Sequence, residues 1–310
     1  MFPADRAART APRTIVAMTT HRRPADQEPP SIERQATRIR VTAYRAGTVE
    51  ERDDRLSGEE PLAIRAAGPG ETPVDVAVTM RTPGNERELA AGFLRTEGLI
   101  DDSTPIDGFT FADPATNSRP DDEITVQLAH PFDASIVAER HFVATASCGI
   151  CGKASLDEVE VRCDPIPPGP SVSPAALLGL PDTLRAAQSV FEHTGGLHAA
   201  GLFAPDGELI VLREDVGRHN ALDKLVGSQL LVGALPLHDR IVLVSGRASF
   251  ELVQKAAVAG VPVLAAVSAP SDLAVQAADR LGVTLVGFLR GDGFNVYAHP
   301  ERIAAAPPSR

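Results

Sequence analysis

Apolar residues follow different patterns in the two halves of the chain. In the first half, Leu89, Phe93 and Leu94 share one face of a helical repeat at 85–100, and the polar stretch 111–123 is expected to be a loop. Short alternating or β-branched runs surround this helix and predict strands at 38–45, 72–80, 123–129 and 140–146. The first half is therefore predicted to be rich in β-structure.

The second half begins after a proline-dense stretch at 164–174, which is expected to be a linker because proline disrupts helix and strand interiors. A helix at 181–193 opening at Pro181, a hairpin turning at Asp206-Gly207 and a helix at 217–231 are predicted next. Near-continuous apolar runs then alternate with helical repeats, predicting strands at 240–246, 261–268 and 283–289 and helices at 248–260 and 271–282.

This alternation is typical of parallel strands that are buried on both faces. The predicted fold class is α/β, or α+β for the whole chain. A β-rich part is expected at 37–163, and an α/β domain at 175–310.

Charge is unevenly distributed along the 310 residues, whose net charge is −11. The first 46 residues hold nine arginines and four acids, a balance of +5, which leaves −16 for the remainder. A strongly acidic body argues against a nucleic-acid-binding protein. The basic, proline-rich stretch 1–36 is expected to be a disordered tail.

Two further classes of protein are disfavoured. No apolar run reaches the length of a membrane span, so no membrane insertion is expected. Three cysteines do not form a disulfide framework, and a reduced, cytoplasmic setting is expected.

Two of the cysteines, Cys148 and Cys151, form a C-x-x-C pair in the sequence SCGICGK. Structural zinc would need four ligands, for which Cys163 and His141 are the other candidates. A thioredoxin-like redox site and an incidental pair are further alternatives. The fourth alternative is a sulfur carrier, in which an accessible thiolate beside Lys153 accepts sulfur as a persulfide.

Long blocks around this pair closely resemble the formate dehydrogenase accessory sulfurtransferase family (FdhD/NarQ). The blocks stand at 81–100, 147–156, 193–203, 213–227, 245–278 and 287–303. The resemblance implies a relay in which a cysteine desulfurase supplies sulfur as a persulfide. The molybdenum or tungsten bis-pterin guanine dinucleotide cofactor, destined for formate dehydrogenase, would receive that sulfur.

The same resemblance implies roles for particular residues. Cys148 is expected to carry the persulfide, with Cys151 as the second thiol. The cofactor, or guanosine diphosphate (GDP) as its analogue, is expected to bind at the end of a strand formed by Phe288, Leu289, Arg290, Gly291, Asp292 and Gly293. A homodimer and a C-terminal fold like that of cytidine deaminases are also implied.

Cations follow three predicted strands and favour binding of the phosphates of such a cofactor. Arg247 lies in one strand-to-helix turn, Arg218 and His219 lie in another, and Arg290 follows a third strand. Because ligands bind at the carboxyl ends of strands in open α/β sheets, these side chains are expected at one edge.

Two other functions remain open from the sequence. One is a non-enzymatic chaperone that only binds the cofactor. The other is a zinc-dependent, deaminase-like hydrolase, whose signature is H-x-E followed by P-C-x-x-C. His198-Ala199-Ala200 is expected at the place of H-x-E, with alanine instead of the catalytic glutamate, and the two zinc cysteines are absent.

Overall fold

The structure, a computed structural model, describes residues 32–115, 117–140 and 163–305. Its strands are β1 (Ala36–Arg45), β2 (Thr48–Ser57), β3 (Glu60–Ala67), β4 (Val74–Arg81), β5 (Ile106–Phe111), β6 (Glu123–Leu128), β7 (His198–Phe203), β8 (Leu209–Asp215), β9 (Ile241–Val244), β10 (Val263–Ala266), β11 (Thr284–Arg290) and β12 (Gly293–Ala298). Its helices are α1 (Ile32–Gln35), α2 (Glu86–Thr96), α3 (Ala134–Arg140), α4 (Pro174–Ala187), α5 (Ser189–Thr194), α6 (Arg218–Leu231), α7 (Phe250–Val258) and α8 (Asp272–Leu281).

A six-stranded sheet forms the centre of the second half, in the order β12-β11-β10-β9-β7-β8. Strands β9, β10 and β11 are parallel, and helices α7 and α8 connect them, as the alternating pattern predicts. Alternate side chains of β9 enter two separate cores. Ile241 and Leu243 pack in the core that contains α4, whereas Val242 and Val244 pack in the core that contains α6, α7 and α8. The α+β fold class is confirmed.

The first half forms a four-stranded sheet, in the order β4-β3-β6-β5, and a separate ribbon of β1 and β2. Leu89, Phe93 and Leu94, the predicted apolar face of α2, are buried in the core beneath the four-stranded sheet. Helix α2 therefore covers one sheet with this face and is free to contact the second half with the other.

That contact is a close crossing of α2 and α6 at two glycines. A Cβ atom placed on Gly92 would lie 1.8 Å from the carbonyl oxygen of Asp223, and one on Gly227 would lie 1.8 Å from that of Glu88. No side chain fits at such a distance, so the backbones of the two helices touch directly at these positions. The two halves of the chain therefore pack directly against each other at these two helices.

Buried charges reinforce the same contact. The Nζ atom of Lys255 on α7 lies 2.8 Å from Glu97 Oε1, 2.9 Å from Thr96 Oγ1 and 3.0 Å from Asp223 Oδ1. Burial by itself lowers the pKa of Lys255, but the attraction of Asp223 and Glu97 outweighs it, so the pKa is raised. The ammonium therefore joins α2, α6 and α7 as a charged group.

Some predicted boundaries are wrong. The helix expected at 181–193 is two helices, α4 and α5, and Pro181 lies inside α4. The true start is Pro174, because Ser173 caps the helix by accepting a hydrogen bond from the backbone N–H of Ala176 at 3.1 Å. Helix α5 begins separately because Glu214 accepts the N–H groups of Val190 and Phe191.

Other differences are confined to ends and short strands. Residues 32–36, assigned by the sequence to the tail, form α1 and the start of β1, whereas residues 1–31 lie outside the described chain. Arg140, expected to open a strand, ends α3, and residues 141–146 are not described. The predicted linker lacks regular structure up to Ser173, apart from a bridge between Val172 and Ile303.

Over residues 32–115, 117–140 and 163–305, none of the helices is both long enough and apolar enough to cross a bilayer.

Candidate functional site

The carboxyl ends of β9, β10 and β11 lie at one edge of the six-stranded sheet because the three strands are parallel. The loops that follow them are held together by backbone hydrogen bonds. Ser268 donates its N–H to the carbonyl of Gly246 at 3.4 Å, and Phe288 donates to the carbonyl of Ser268 at 3.1 Å. This edge, the carboxyl edge, therefore brings the turn containing Arg247 close to the end of β11.

The predicted cofactor segment is the end of β11 together with a tight turn. Gly291 and Asp292 connect Arg290 to Gly293, which pair across β11 and β12. Gly291 has φ of 61°, the left-handed conformation that glycine adopts without strain. The segment thus forms a compact hairpin tip at the carboxyl edge.

Side chains of this segment differ in what they offer a ligand. Phe288 has φ of 52°, and the guanidinium of the exposed Arg290 lies 5.4 Å from the centre of its ring. Leu289 is fully buried in the core shared with α4. Arg290 can therefore reach a ligand with its side chain, whereas Leu289 can do so only through its backbone.

Arg218 and His219 reach the same edge from the start of α6. Strand β8 ends there at Asp215, whose Oδ1 accepts the N–H of Gly217 at 2.8 Å and whose Oδ2 lies 2.7 Å from Lys224 Nζ. No side chain caps α6, and the buried Nε of Arg218 has no hydrogen-bond partner among the described residues. The first N–H groups of α6 and this guanidinium are suited to an anion.

His219 also contacts the start of α7, which the sequence did not reveal. Its Nε2 lies 2.9 Å from Glu251 Oε2 and 3.3 Å from Ser249 Oγ. The hydrogen bond from His219 lowers the pKa of Glu251, against the effect of burial, so this carboxyl is ionised at neutral pH. An acid in the first turn of α7 was visible in the sequence, but its partner 32 residues upstream was not.

His198-Ala199-Ala200, expected at the place of the deaminase H-x-E motif, begin β7, the first strand of the predicted hairpin, and Ala199 and Ala200 are buried in the sheet. The helices that open at the carboxyl edge begin with Arg218, Phe250 and Asp272. In the described part of the chain, no group of three or more His, Cys, Asp or Glu side chains is arranged to hold a metal ion.

The C-x-x-C pair itself, Cys148 and Cys151, lies outside the described residues, as do Lys153 and His141. Cys163, the first residue described after that segment, is half-buried. It lines a cavity of about 820 Å³ together with Arg95 near the end of α2 and Val258 at the end of α7. The cavity therefore lies at the edge opposite the carboxyl edge, because α7 runs from one edge to the other.

Comparison with known proteins shows to which family the chain belongs. The model of the FdhD/NarQ family matches residues 57–304, which include the C-x-x-C pair and every residue assigned above to the carboxyl edge. The chain belongs to the FdhD/NarQ family. The resemblance of its sequence blocks to that family is thereby confirmed.

Relatives across the family cover nearly the whole chain. The Sulfur carrier protein FdhD of Streptomyces avermitilis is 51% identical over 278 residues, which are 87% of this chain and 96% of that protein. The protein of the same name from Sulfurisphaera tokodaii is 41% identical over 270 residues, 87% of this chain and 99% of that one. The FdhD/NarQ fold is shared with a formate dehydrogenase accessory protein from Desulfotalea psychrophila, with a TM-score of 0.65, 25% identity, and coverage of 87% of this chain and 100% of that one.

Proposed function

We propose that this protein is a sulfurtransferase that carries sulfur as a persulfide from a cysteine desulfurase to the bis-pterin guanine dinucleotide cofactor of formate dehydrogenase. The observation that carries the proposal is the alignment of the chain, over 87% of its length, with proteins named as sulfur carriers. The C-x-x-C pair within the matched range supplies the thiols that the proposal requires.

The transfer of sulfur to this protein is a thiol exchange with the persulfide of the desulfurase. The Cys148 thiolate attacks the terminal sulfur of the desulfurase persulfide and forms a new S–S bond. The S–S bond of the donor breaks, and the donor cysteine leaves as a thiolate. Cys151 is the second thiol: its thiolate can attack the inner sulfur of the loaded Cys148, which forms a Cys148–Cys151 disulfide and releases the terminal sulfur as hydrosulfide. Reduction of that disulfide by small thiols then restores both cysteines.

The carboxyl edge supports binding of the anionic cofactor as a substrate. Within the described part of the chain, no N-cap side chain bonds to the start of α6 or α7, whereas Ser271 caps α8 by accepting the N–H of Ala274 at 3.2 Å. The unpaired Nε of Arg218 and the exposed Arg247 and Arg290 add positive charge. Phosphates favour both helix N-termini and guanidinium groups. We assign the nucleotide end of the cofactor, and GDP as its analogue, to this edge.

The sulfur-carrier function is tested by whole-protein mass spectrometry. Incubation with a cysteine desulfurase and cysteine is expected to add the mass of one sulfur atom to the wild-type protein, because a persulfide adds one atom to one thiol. Treatment with a reductant should remove the added mass, since thiols exchange with persulfides. A protein that activates formate dehydrogenase without ever gaining this mass would instead be a chaperone that only binds the cofactor.

Arg247→Ala is expected to weaken GDP binding by about 1.5–3 kcal/mol, the usual size for a hydrogen bond to a charged group. Isothermal titration calorimetry measures the affinity. Arg240→Ala is the matched control, because Arg240 directly precedes β9 at the opposite edge and pairs with Asp239. Equal affinities for wild type and Arg247→Ala would remove Arg247 from the site.

The partners follow from the proposed relay. A cysteine desulfurase donates the sulfur, and formate dehydrogenase receives the completed cofactor. The relatives are named for sulfur carriage and for the formate dehydrogenase accessory role, which supports these two partners. We also propose a homodimer, as the family resemblance implies. We propose a cytoplasmic location, because persulfide transfer requires a compartment in which thiols stay reduced.

A further inference from the structure

His198 lies at the carboxyl edge, but none of the interactions described above uses its ring. It is the first residue of β7 and pairs with Asp215 across the hairpin. The next residue, Ala199, donates its N–H to Ser245 Oγ at 2.9 Å and accepts the N–H of Ser245 at the same distance. These bonds fix the start of β7 beside the turn that contains Gly246 and Arg247.

The imidazole lies directly against that turn. A Cβ atom placed on Gly246 would be 3.4 Å from both Nδ1 and Cε1 of His198, so the ring rests on the backbone that precedes Arg247. A ligand bound by Arg247 and by the start of α6 would have this ring beside it. The ring therefore lies at the same site, although the sequence analysis did not assign His198 to it.

Within the described residues, the ring nitrogens of His198 lack the hydrogen-bond partners that His193, His219 and His299 have. His193 Nδ1 lies 2.7 Å from the carbonyl of Ser189, and the rings of His219 and His299 are also hydrogen-bonded. Within the described residues, His198 has no such bond, although it is half-buried. The ring nitrogens of His198 are not among the buried unpaired atoms of the described residues, so they reach solvent and are open to a ligand.

We propose that His198 contacts the phosphate-bearing part of the ligand at the carboxyl edge and takes up a proton from solvent when that ligand binds. The inference rests on the proposed function, because it requires an anionic ligand there. It adds a ligand-binding residue and makes the affinity for the nucleotide dependent on pH.

The charges around the ring give the direction of this coupling. Burial lowers the pKa of His198, and repulsion by Arg218 and His219 on α6 lowers it further, while Asp215 at the end of β8 acts in the opposite direction. The ring is therefore neutral at neutral pH in the free protein. A phosphate bound beside the ring offsets the positive charge of Arg218, which raises the pKa of His198. Binding then favours the protonated ring.

The test is calorimetry of GDP binding near pH 6.5, the ordinary pKa of histidine, in two buffers with different enthalpies of ionisation. The difference in heat gives the number of protons taken up. The phosphates of GDP also bind protons, so the decisive quantity is the difference between wild type and His198→Gln. We expect the wild type to take up more protons, and its affinity to rise more steeply as pH falls, by up to about tenfold per pH unit.

His193→Gln is the matched control, since this exposed histidine lies five residues upstream and already has a partner. It should behave like wild type. Equal proton uptake by wild type and His198→Gln would overturn the role of His198 while leaving the nucleotide site intact. Failure of the wild type to bind GDP would overturn both the site and this inference.

A second measurement does not depend on the variant. Nuclear magnetic resonance titration of the His198 ring in the wild-type protein, with and without GDP, should show a higher pKa in the complex. An unchanged pKa with GDP bound would contradict the inference even if His198→Gln proved too unstable to study.

Discussion

Lys255→Met is expected to lower the free energy of unfolding by about 3–5 kcal/mol, the usual cost of removing one member of a buried ion pair. Methionine matches the apolar stem of lysine but lacks the ammonium that contacts Asp223, Thr96 and Glu97. Asp223 is 1% exposed, so its charge would remain buried, and among the described residues only the Thr96 hydroxyl would still donate to it. Denaturant unfolding followed by circular dichroism measures the loss.

The loss of stability caused by Lys255→Met should depend on pH in a defined direction. Burial raises the pKa of Asp223, and Lys255 opposes that rise. Without Lys255 the folded state binds a proton more readily than the unfolded state does. The variant should therefore be less destabilised at acidic pH, and its stability should fall as pH increases through the raised pKa.

Two further variants separate this explanation from a general effect of losing a cation. Arg40→Met removes a cation from a pair with Glu51 in which both side chains are more than 60% exposed, and should cost no more than about 1 kcal/mol. Adding Asp223→Asn to Lys255→Met should restore part of the stability because it removes the stranded charge. Similar losses for Lys255→Met and Arg40→Met would contradict the buried network.

The sequence predicted five strands of the six-stranded sheet, all but β12, because their signals are local. Strands β9, β10 and β11 are buried on both faces, so each appears as a short continuous apolar run between helices with clear ends. Strand β2 was missed for the opposite reason. It reads TVEERDDRLS and is stabilised by pairing with β1 along its whole length, not by an apolar face of its own.

Contacts between the halves could not be predicted, because they depend on positions far apart in sequence. Gly92 resembles any helical glycine until the backbone of α6 lies against it. Lys255 would be an ordinary surface lysine by composition, yet its partners lie about 160 residues upstream on α2 and 32 residues upstream on α6.

The same contrast between local signals and long-range contacts applies to the candidate site. Arg247, Arg218 and Arg290 could be placed at one edge from the sequence because a parallel sheet puts all its carboxyl ends together. His198 was not included in that set, since its strand is antiparallel to β9 and reaches the edge with its first residue. The partner of His219 was likewise hidden, because Glu251 lies on the next helix.

Cys148→Ala is expected to abolish both sulfur loading and activation of formate dehydrogenase. The reason is chemical. The persulfide needs a thiolate nucleophile, and alanine offers none, so no partial activity remains at this position. Mass spectrometry after desulfurase treatment measures loading, and formate-dependent dye reduction in cells lacking the native carrier measures activation. Both should fall to the background level of a protein without the pair.

The other two cysteines provide matched controls for this result. Cys151→Ala should load sulfur and lose only part of the activation, because small thiols can replace a resolving cysteine. Cys163→Ser should load normally, since Cys163 packs against the core that contains α7 and α8 and the proposal gives it no part in the relay. Full loading of Cys148→Ala would assign the carrier to another thiol, and loss of loading only in Cys163→Ser would move it to the cavity at the opposite edge of the sheet.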